Sequence, residues 1–208
     1  AGCIINAVSD HDIGPHVQRT ADRPIAAGRV RRREGVALFV LLALVAFVLV
    51  WQTNWLTMLL SVPAVLIAAS YPLAKRWHHL PQAHLGIAFS WGIPMAFAAQ
   101  TGAVHWIAWP LVLANLLWTV AYDTIYAIQD EEDDALIGVK STARLMGDRV
   151  ILGSFCFFLA AAACFAVAVA GIGAARVGAV TVIAFLIHAI WQVHTLDRDR
   201  GTALMIFK

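Results

Sequence analysis

Charge is scarce in this sequence. Aspartate, glutamate, lysine and arginine together supply 13% of its 208 residues, about half the ~25% usual for soluble domains. So few ions cannot cover the surface of a water-soluble globule. Cysteine is scarce too. Cys3, Cys156 and Cys164 make no CxxC pair, and the last two lie within an apolar run. They read as packing residues rather than as redox or metal-binding thiols. A start signal is also missing: there is no initial Met, no signal peptide and no basic leader. The chain opens on AGCIIN, which reads as the end of a helix already under way. It stops at GTALMIFK, where another apolar segment begins. The expectation is a fragment that lacks at least one span at each end.

What is present is apolar. Hydrophobic residues make 61% of the chain and the mean hydropathy is +0.74, against ~45–50% apolar content in soluble domains. This composition specifies an all-α, polytopic transmembrane helical bundle, packed as one domain over 1–208. Six segments approach the ~20 residues that a bilayer core requires: 36–51, 55–73, 85–99, 104–122, 150–170 and 177–193. Tight, nearly uncharged turns join them in pairs at 52–54, 100–103 and 171–176, and longer polar stretches alternate with these at 9–35, 74–84, 123–149 and 194–201. Arg19, Arg23, Arg29, Arg31, Arg32, Arg33, Lys75, Arg76, Lys140, Arg144, Arg149, Arg198 and Arg200 all fall on the polar-loop side, whereas Arg176 falls opposite. Every acid is on the polar-loop side as well. Basic asymmetry of this kind places that side in the cytoplasm, or in the matrix of a mitochondrion.

The acids are not spread evenly. Six of the 13, Asp123, Asp130, Glu131, Glu132, Asp133 and Asp134, lie within one dozen positions that follow an apolar helix. Continued as a helix, this segment places Asp123, Tyr126 and Asp130 at i, i+3 and i+7, with Asp134 a turn further on, all on one face. Such a stripe repels itself and calls for a cation. In the first polar loop, Asn6 and Asp10 also stand at i, i+4. Amide and carboxylate oxygens are hard ligands that suit Mg2+ rather than zinc, and Mg2+ is commonly held by one or two carboxylates plus substrate phosphates. Two such half-sites facing each other could hold a diphosphate. Arg19, Lys75, Arg76 and Lys140 could neutralise its remaining charge. The plain alternative is a solvated face, since charged loops between spans are ordinary. Two features argue against it. Asp123 sits close to the apolar run, where an unpaired carboxylate costs about 2.5–3.5 kcal/mol at a helix centre and less near its end. Acids also contribute little to orientation, so topology does not explain their clustering.

YDTIYAIQDEEDDALIGVKSTARL resembles the second Asp-rich motif of the UbiA superfamily of intramembrane aromatic prenyltransferases. YPLAKRWHHLPQAHLGIAFSWGIPMAFAA resembles the segment that begins with YPxxKR in its 4-hydroxybenzoate polyprenyltransferase branch. AGCIINAVSDHDIGPHVQRTADRPIAAG is similar to the first Asp-rich region, NDxxDxxxD followed by RTxxRP. The resemblance covers the whole chain in order. It implies a fold of nine transmembrane helices around a central cavity, here represented from the end of the second helix through the eighth. It implies that a polyprenyl diphosphate, held through Mg2+, ionises to an allylic cation. That cation alkylates 4-hydroxybenzoate ortho to the hydroxyl, in ubiquinone biosynthesis. By motif position it implies Asn6, Asp10, Asp130 and Asp134 as metal and diphosphate ligands, with Asp123 and Tyr126 as further catalytic positions. Tyr71 and Lys75 match a pair that touches diphosphate, and Arg76 is assigned to the benzoate carboxylate. The implied setting is a bacterial inner membrane, or the mitochondrial inner membrane in a eukaryote, with neither nucleic acid nor an obligate protein partner.

The first motif departs from the pattern. Ala7 and Gly14 stand where Asp is usual, and Asp12 is out of register by about 200° of helix rotation from Asp10. Gly14-Pro15 also breaks any helix there. A weakened first metal site is expected, which keeps a non-catalytic binder of prenyl diphosphate open as an alternative. Other acceptors within the superfamily also stay open. A transporter is disfavoured, because it would carry ionisable groups near mid-membrane. Among the remaining residues, His78 and His79 read as a solvated pair and His188 as a hydrogen-bonded bundle residue. Trp51, Trp55, Trp106 and Trp109 read as an interfacial belt. Phe89, Trp91 and Met95 could line a cavity, though ordinary helix packing accounts for them, and Pro94 and Pro110 are expected to kink their helices.

Overall fold

In lipid, a backbone satisfies its N–H and C=O groups only internally, so long apolar runs become helices. A computed structural model describes residues 2–9, 22–136, 138 and 140–196, with the backbone alone at 75–77 and 132–134. Ten α-helices follow in order among the described residues: α1 (Gly2–Ser9), α2 (Arg32–Trp51), α3 (Trp55–Trp77), α4 (Pro81–Ser90), α5 (Gly92–Thr101), α6 (Ala108–Ala127), α7 (Glu131–Leu136), α8 (Thr142–Met146), α9 (Val150–Gly171) and α10 (Ala175–Thr195). Short 3-10 turns, Ile128–Asp130 and Gly147–Arg149, link α6 to α7 and α8 to α9. Five of the described helical stretches are long and apolar enough to cross a membrane, those containing α2, α3, α6, α9 and α10.

The third predicted span is not one helix. It is split at Trp91 into α4 and α5, of 10 residues each, together about 30 Å at 1.5 Å per residue. Pro94 has no N–H to give the carbonyl of Ser90, and Gly92 adds backbone freedom at the same place. The Trp91 indole N–H donates to the Leu60 carbonyl at 2.9 Å, fastening the break to α3. The fourth span starts later than expected and runs on through Ala127, so that Asp123 and Tyr126 are helical. Pro110 stands in the first turn of α6, where no intrahelical N–H is needed, so the expected kink has no cause there. Among the described residues, the prolines beyond the first turn of a helix are Pro63 and Pro72 of α3.

Neighbours in sequence are neighbours in space. α1 packs on α2 and α3, α3 on α4 and α5, α4 on α6, α6 on α9, and α9 on α10. Buried positions of α6 and α9 are rich in small residues: Ala114, Ala121, Ser154, Ala161, Ala162 and Ala168. Small side chains let helices approach where lipid removes the hydrophobic drive between them. Gly86 does the same for α4 and α6; a Cβ there would lie 3.0 Å from the Leu116 carbonyl oxygen. By contrast α2 buries only Gly35, and Leu41 and Leu44 are more than half exposed.

The two ends of the bundle differ. Asn54 caps α3 by accepting the Thr57 N–H at 3.0 Å, while its amide donates to the Ala98 carbonyl of α5 at 2.6 Å. Gly171 lies against the Trp106 ring. The tight turns 52–54 and the end of α5 are thus gathered together, as are the start of α6 and the end of α9. Trp51, Trp55, Trp106 and Trp109, all exposed, stand beside these turns as a belt should. At the other end, α4 begins beside α8, where Gln82 and Thr142 are hydrogen-bonded.

Candidate functional site

The acidic segment grows out of the last turns of α6. Thr119, Val120, Ala121, Thr124 and Ile125 are buried and hold this helix in the core, while Asp123, Tyr126, Asp130 and Glu131 are half-buried at its rim. The 3-10 turn advances about 120° per residue rather than 100°, which sets Asp130 about 40° from Asp123 around the axis. The two carboxylates therefore keep one broad face, as their spacing predicts. Gln129, between them, is buried, and neither its amide oxygen nor its nitrogen has a hydrogen-bond partner among the described residues. Sequence reasoning passed over it, because a glutamine within an acidic run gives no signal of burial.

Immediately inward lies a cavity of about 530 Å³ between α6, α9 and α10. Apolar groups dominate its wall, including Trp118, Phe165 and Phe185. Asn115, Tyr122, His188 and Gln192 supply polar edges. Trp118 and Tyr122 stack with ring centroids 5.6 Å apart. Asn115 also donates to the Ser90 hydroxyl at 3.0 Å, which ties this wall to α4. Tyr122 lines the cavity and Asp123 follows it directly, so apolar space and acidic face adjoin on one helix. The Asn115, Trp118 and Tyr122 spacing, i, i+3 and i+7, is the sequence signal that could have identified this wall. His188, expected to be a hydrogen-bonded bundle residue, instead lines the cavity and stacks on Trp191 at 5.6 Å.

A second group forms where α3 meets α4. His84 Nε2 lies 3.0 Å from the Ser70 hydroxyl and 3.2 Å from the Ile67 carbonyl. Its ring is tilted against Tyr71 and stacked on His78, with centroids 6.4 and 6.3 Å away. His78, expected as a solvated residue, thus belongs to a packed ring cluster, and its Nδ1 accepts the Leu80 N–H at 3.1 Å. Trp91 is anchored to α3 as described, and Phe89 is exposed; neither lines the cavity. A third group is the start of α8. Ser141 caps it by accepting the Arg144 N–H at 3.3 Å, and Lys140 is half-buried just before it.

Asp10 and Arg19 lie outside the described residues, as do the side chains of Lys75, Arg76 and Asp134. The backbones of 75 and 76 close α3, and that of 134 belongs to α7. Asn6 is half-buried on α1, and among the described residues no hydrogen bond joins it to the acidic segment. No group of three His, Cys, Asp or Glu suited to a metal ion occurs among the described residues. The donors present at the acidic rim are nonetheless all oxygens, the type that a hard divalent cation takes, and the buried amide of Gln129 stands beside them without a partner.

Residues 1–208 match the UbiA prenyltransferase family. A 4-hydroxybenzoate octaprenyltransferase of Methylococcus capsulatus is 56% identical over 156 residues, which are 74% of this chain and 53% of that protein. The chain thus aligns with about half the length of this relative. A protein of the same name from Xanthomonas oryzae pv. oryzae is 48% identical over 209 residues, covering 100% of this chain and 70% of the relative. Among solved structures, the apo form of a UbiA homolog from Aeropyrum pernix K1 superposes with a TM-score of 0.85 at 30% identity, over 99% of this chain and 78% of that one. A UbiA homolog from Archaeoglobus fulgidus bound to GPP and Mg2+ gives a TM-score of 0.75 at 16% identity, over 99% of this chain and 77% of that one.

Proposed function

The chain belongs to the UbiA prenyltransferase family, and we propose that it transfers a polyprenyl group from polyprenyl diphosphate to 4-hydroxybenzoate, at the ring carbon ortho to the hydroxyl. It does so as one transmembrane domain in a bacterial inner membrane. The observation that carries this reading is the junction at Tyr122 and Asp123, where a 530 Å³ apolar cavity meets a rim of carboxylates. A polyprenyl diphosphate has that same division: a long hydrocarbon and a small, highly charged head. The names of the relatives supply the acceptor.

The chemistry follows from the division. Asp130 and Asp134, with Asn6 of α1 and Asp10 from the first loop, would hold Mg2+, which when bound supplies positive charge to the diphosphate oxygens; a structural relative carries GPP and Mg2+ together. Tyr71, Arg19, Lys75 and Lys140 donate to the same head, favouring departure of diphosphate with the electron pair of the C–O bond. The allylic cation stays in the cavity, whose apolar and aromatic wall excludes water that would quench it. Arg76 orients the benzoate carboxylate. The ring carbon ortho to the hydroxyl bonds to the allylic carbon, and loss of the ring proton restores aromaticity. Asp123 and Tyr126, closest in sequence to the cavity wall, are the residues to which we assign the handling of that proton and the phenol.

A second reading, a binder of prenyl diphosphate without turnover, is favoured by Ala7 and Gly14 in the first acidic motif. One experiment separates the two. Membranes containing the protein are given 4-hydroxybenzoate and a mixture of prenyl diphosphates, and products are identified by mass. The proposal expects 3-polyprenyl-4-hydroxybenzoate, and its absence with intact prenyl diphosphate bound would establish the second reading.

A further inference from the structure

Lys140 has no secondary structure of its own to hold it. It lies between Gly138, which takes a left-handed φ of 72°, and the cap of the five-residue helix α8. The structure fastens the segment that carries it from 60 residues away. Gln82 Oε1 accepts the Thr142 backbone N–H at 3.0 Å and the Thr142 hydroxyl at 2.7 Å. Thr142 is 0% exposed and Gln82 is 4% exposed. The Thr142 hydroxyl also lies 3.4 Å from the His79 carbonyl.

This arrangement has a local cause. The first N–H groups of any helix lack intrahelical acceptors. In α8, Ser141 satisfies that of Arg144, and Gln82 satisfies that of Thr142. One of the caps of α8 is thus borrowed from α4. Pro81 fixes the start of α4, and Gln82 follows it directly. The start of α4, which follows the end of α3 where Lys75 and Arg76 stand, is thereby fastened to the far end of the acidic loop, two residues from Lys140.

We propose that Gln82 and Thr142 are positioning residues for the prenyl diphosphate, because their hydrogen bonds set where Lys140 stands at the ionised end of the bundle. The proposal rests on the assignment of that end to a prenyl diphosphate. A buried, doubly accepting amide holds α8 in one orientation, and a cation one extended residue before the cap inherits that orientation. Without the fastening, the segment that presents Lys140 loses its anchor to α4.

The test uses the protein in proteoliposomes with Mg2+. Two quantities are read: binding of geranyl thiolodiphosphate, which does not ionise readily, and the separate KM values for prenyl diphosphate and 4-hydroxybenzoate. Gln82→Leu and Thr142→Val are expected to weaken analogue binding about tenfold, in the range seen when supporting residues of a site are removed. KM for the diphosphate should rise with it, while KM for 4-hydroxybenzoate stays put. Thr142→Ser, which keeps both bonds to Gln82, should restore binding. In a Lys140→Met background, Gln82→Leu should add nothing. Should Gln82→Leu not fold, Thr142→Val, which retains the backbone bond, carries the same comparison. Losses that add to those of Lys140→Met, or that fall equally on both KM values, overturn the proposal. So does analogue binding that Lys140→Met leaves unchanged, or a wild type that binds no analogue. If the analogue results hold but 4-hydroxybenzoate yields no product, the acceptor assignment fails and the positioning role stands.

Discussion

A carboxylate at the rim of an apolar bundle has few ways to be tolerated. Asp123 and Asp130 share a half-buried face at the end of α6 and the 3-10 turn that follows it. If that face grips a metal-bound diphosphate, Asp130→Asn keeps the shape and removes the charge. The expected result is a loss of kcat of about 100-fold or more, with an unchanged thermal melting temperature measured in detergent. A retained kcat would mean that the acids are solvated ornaments of the loop. The first motif makes the converse case. Ala7 is half-buried on α1, and its usual Asp would add a hard ligand one residue beyond Asn6. Ala7→Asp together with Gly14→Asp is expected to raise activity at limiting Mg2+, read as a lower Mg2+ concentration for half-maximal rate. No gain counts against a weakened first site. The individual acids were legible in the sequence because carboxylates are rare there. Gln129 and Gln82 were not, since an amide reveals itself only through what surrounds it.

At the scale of elements, the apolar runs gave the spans, but not their interruptions. The break at Trp91 arises from Pro94 acting with Gly92 and is made good by a bond to Leu60 of another helix; no local pattern contains Leu60. Pro110, with the same side chain, breaks nothing, because its place in the first turn is set by where α6 begins. The fastening of α8 to α4 was hidden for the same reason, its partners being 60 residues apart. Close approach is equally a property of pairs. Gly86→Val would drive a side chain into the Leu116 backbone, which cannot yield as a side-chain tip can. Overpacking of this kind costs about 1–3 kcal/mol and should appear as a lower melting temperature. The same change should disturb the Asn115–Ser90 bond that holds the cavity wall. At the opposite end, Asn54→Ala removes the α3 cap and the bond to Ala98 together. A loss of about 1–2 kcal/mol is expected, without effect on KM for either proposed substrate, since the proposed site lies at the other end.

The described part of the molecule is polar in the other sense: one end is belted with tryptophan and carries Arg176, and the other holds the remaining described ions. The proposed prenyl diphosphate substrate would explain why the ends must not be exchanged. Its head is too highly charged to cross the hydrocarbon core, so the acidic rim has to face the compartment in which the head group arrives. By the positive-inside rule, the excess of arginine at that end leads us to expect it in the cytoplasm, with Arg31, Arg32 and Arg33 exposed at the foot of α2. The prediction concerns intact bacteria that express a variant with Cys3, Cys156 and Cys164 replaced by serine. A reporter cysteine at Ala103, beside the tight turn after α5, should react with a membrane-impermeant maleimide from outside. One at His79, exposed at the other end, should react only after the membrane is opened. The reverse pattern would place the diphosphate site on the side where its substrate is not made, and the assignment of Asp123 and Asp130 to that substrate would fall with it.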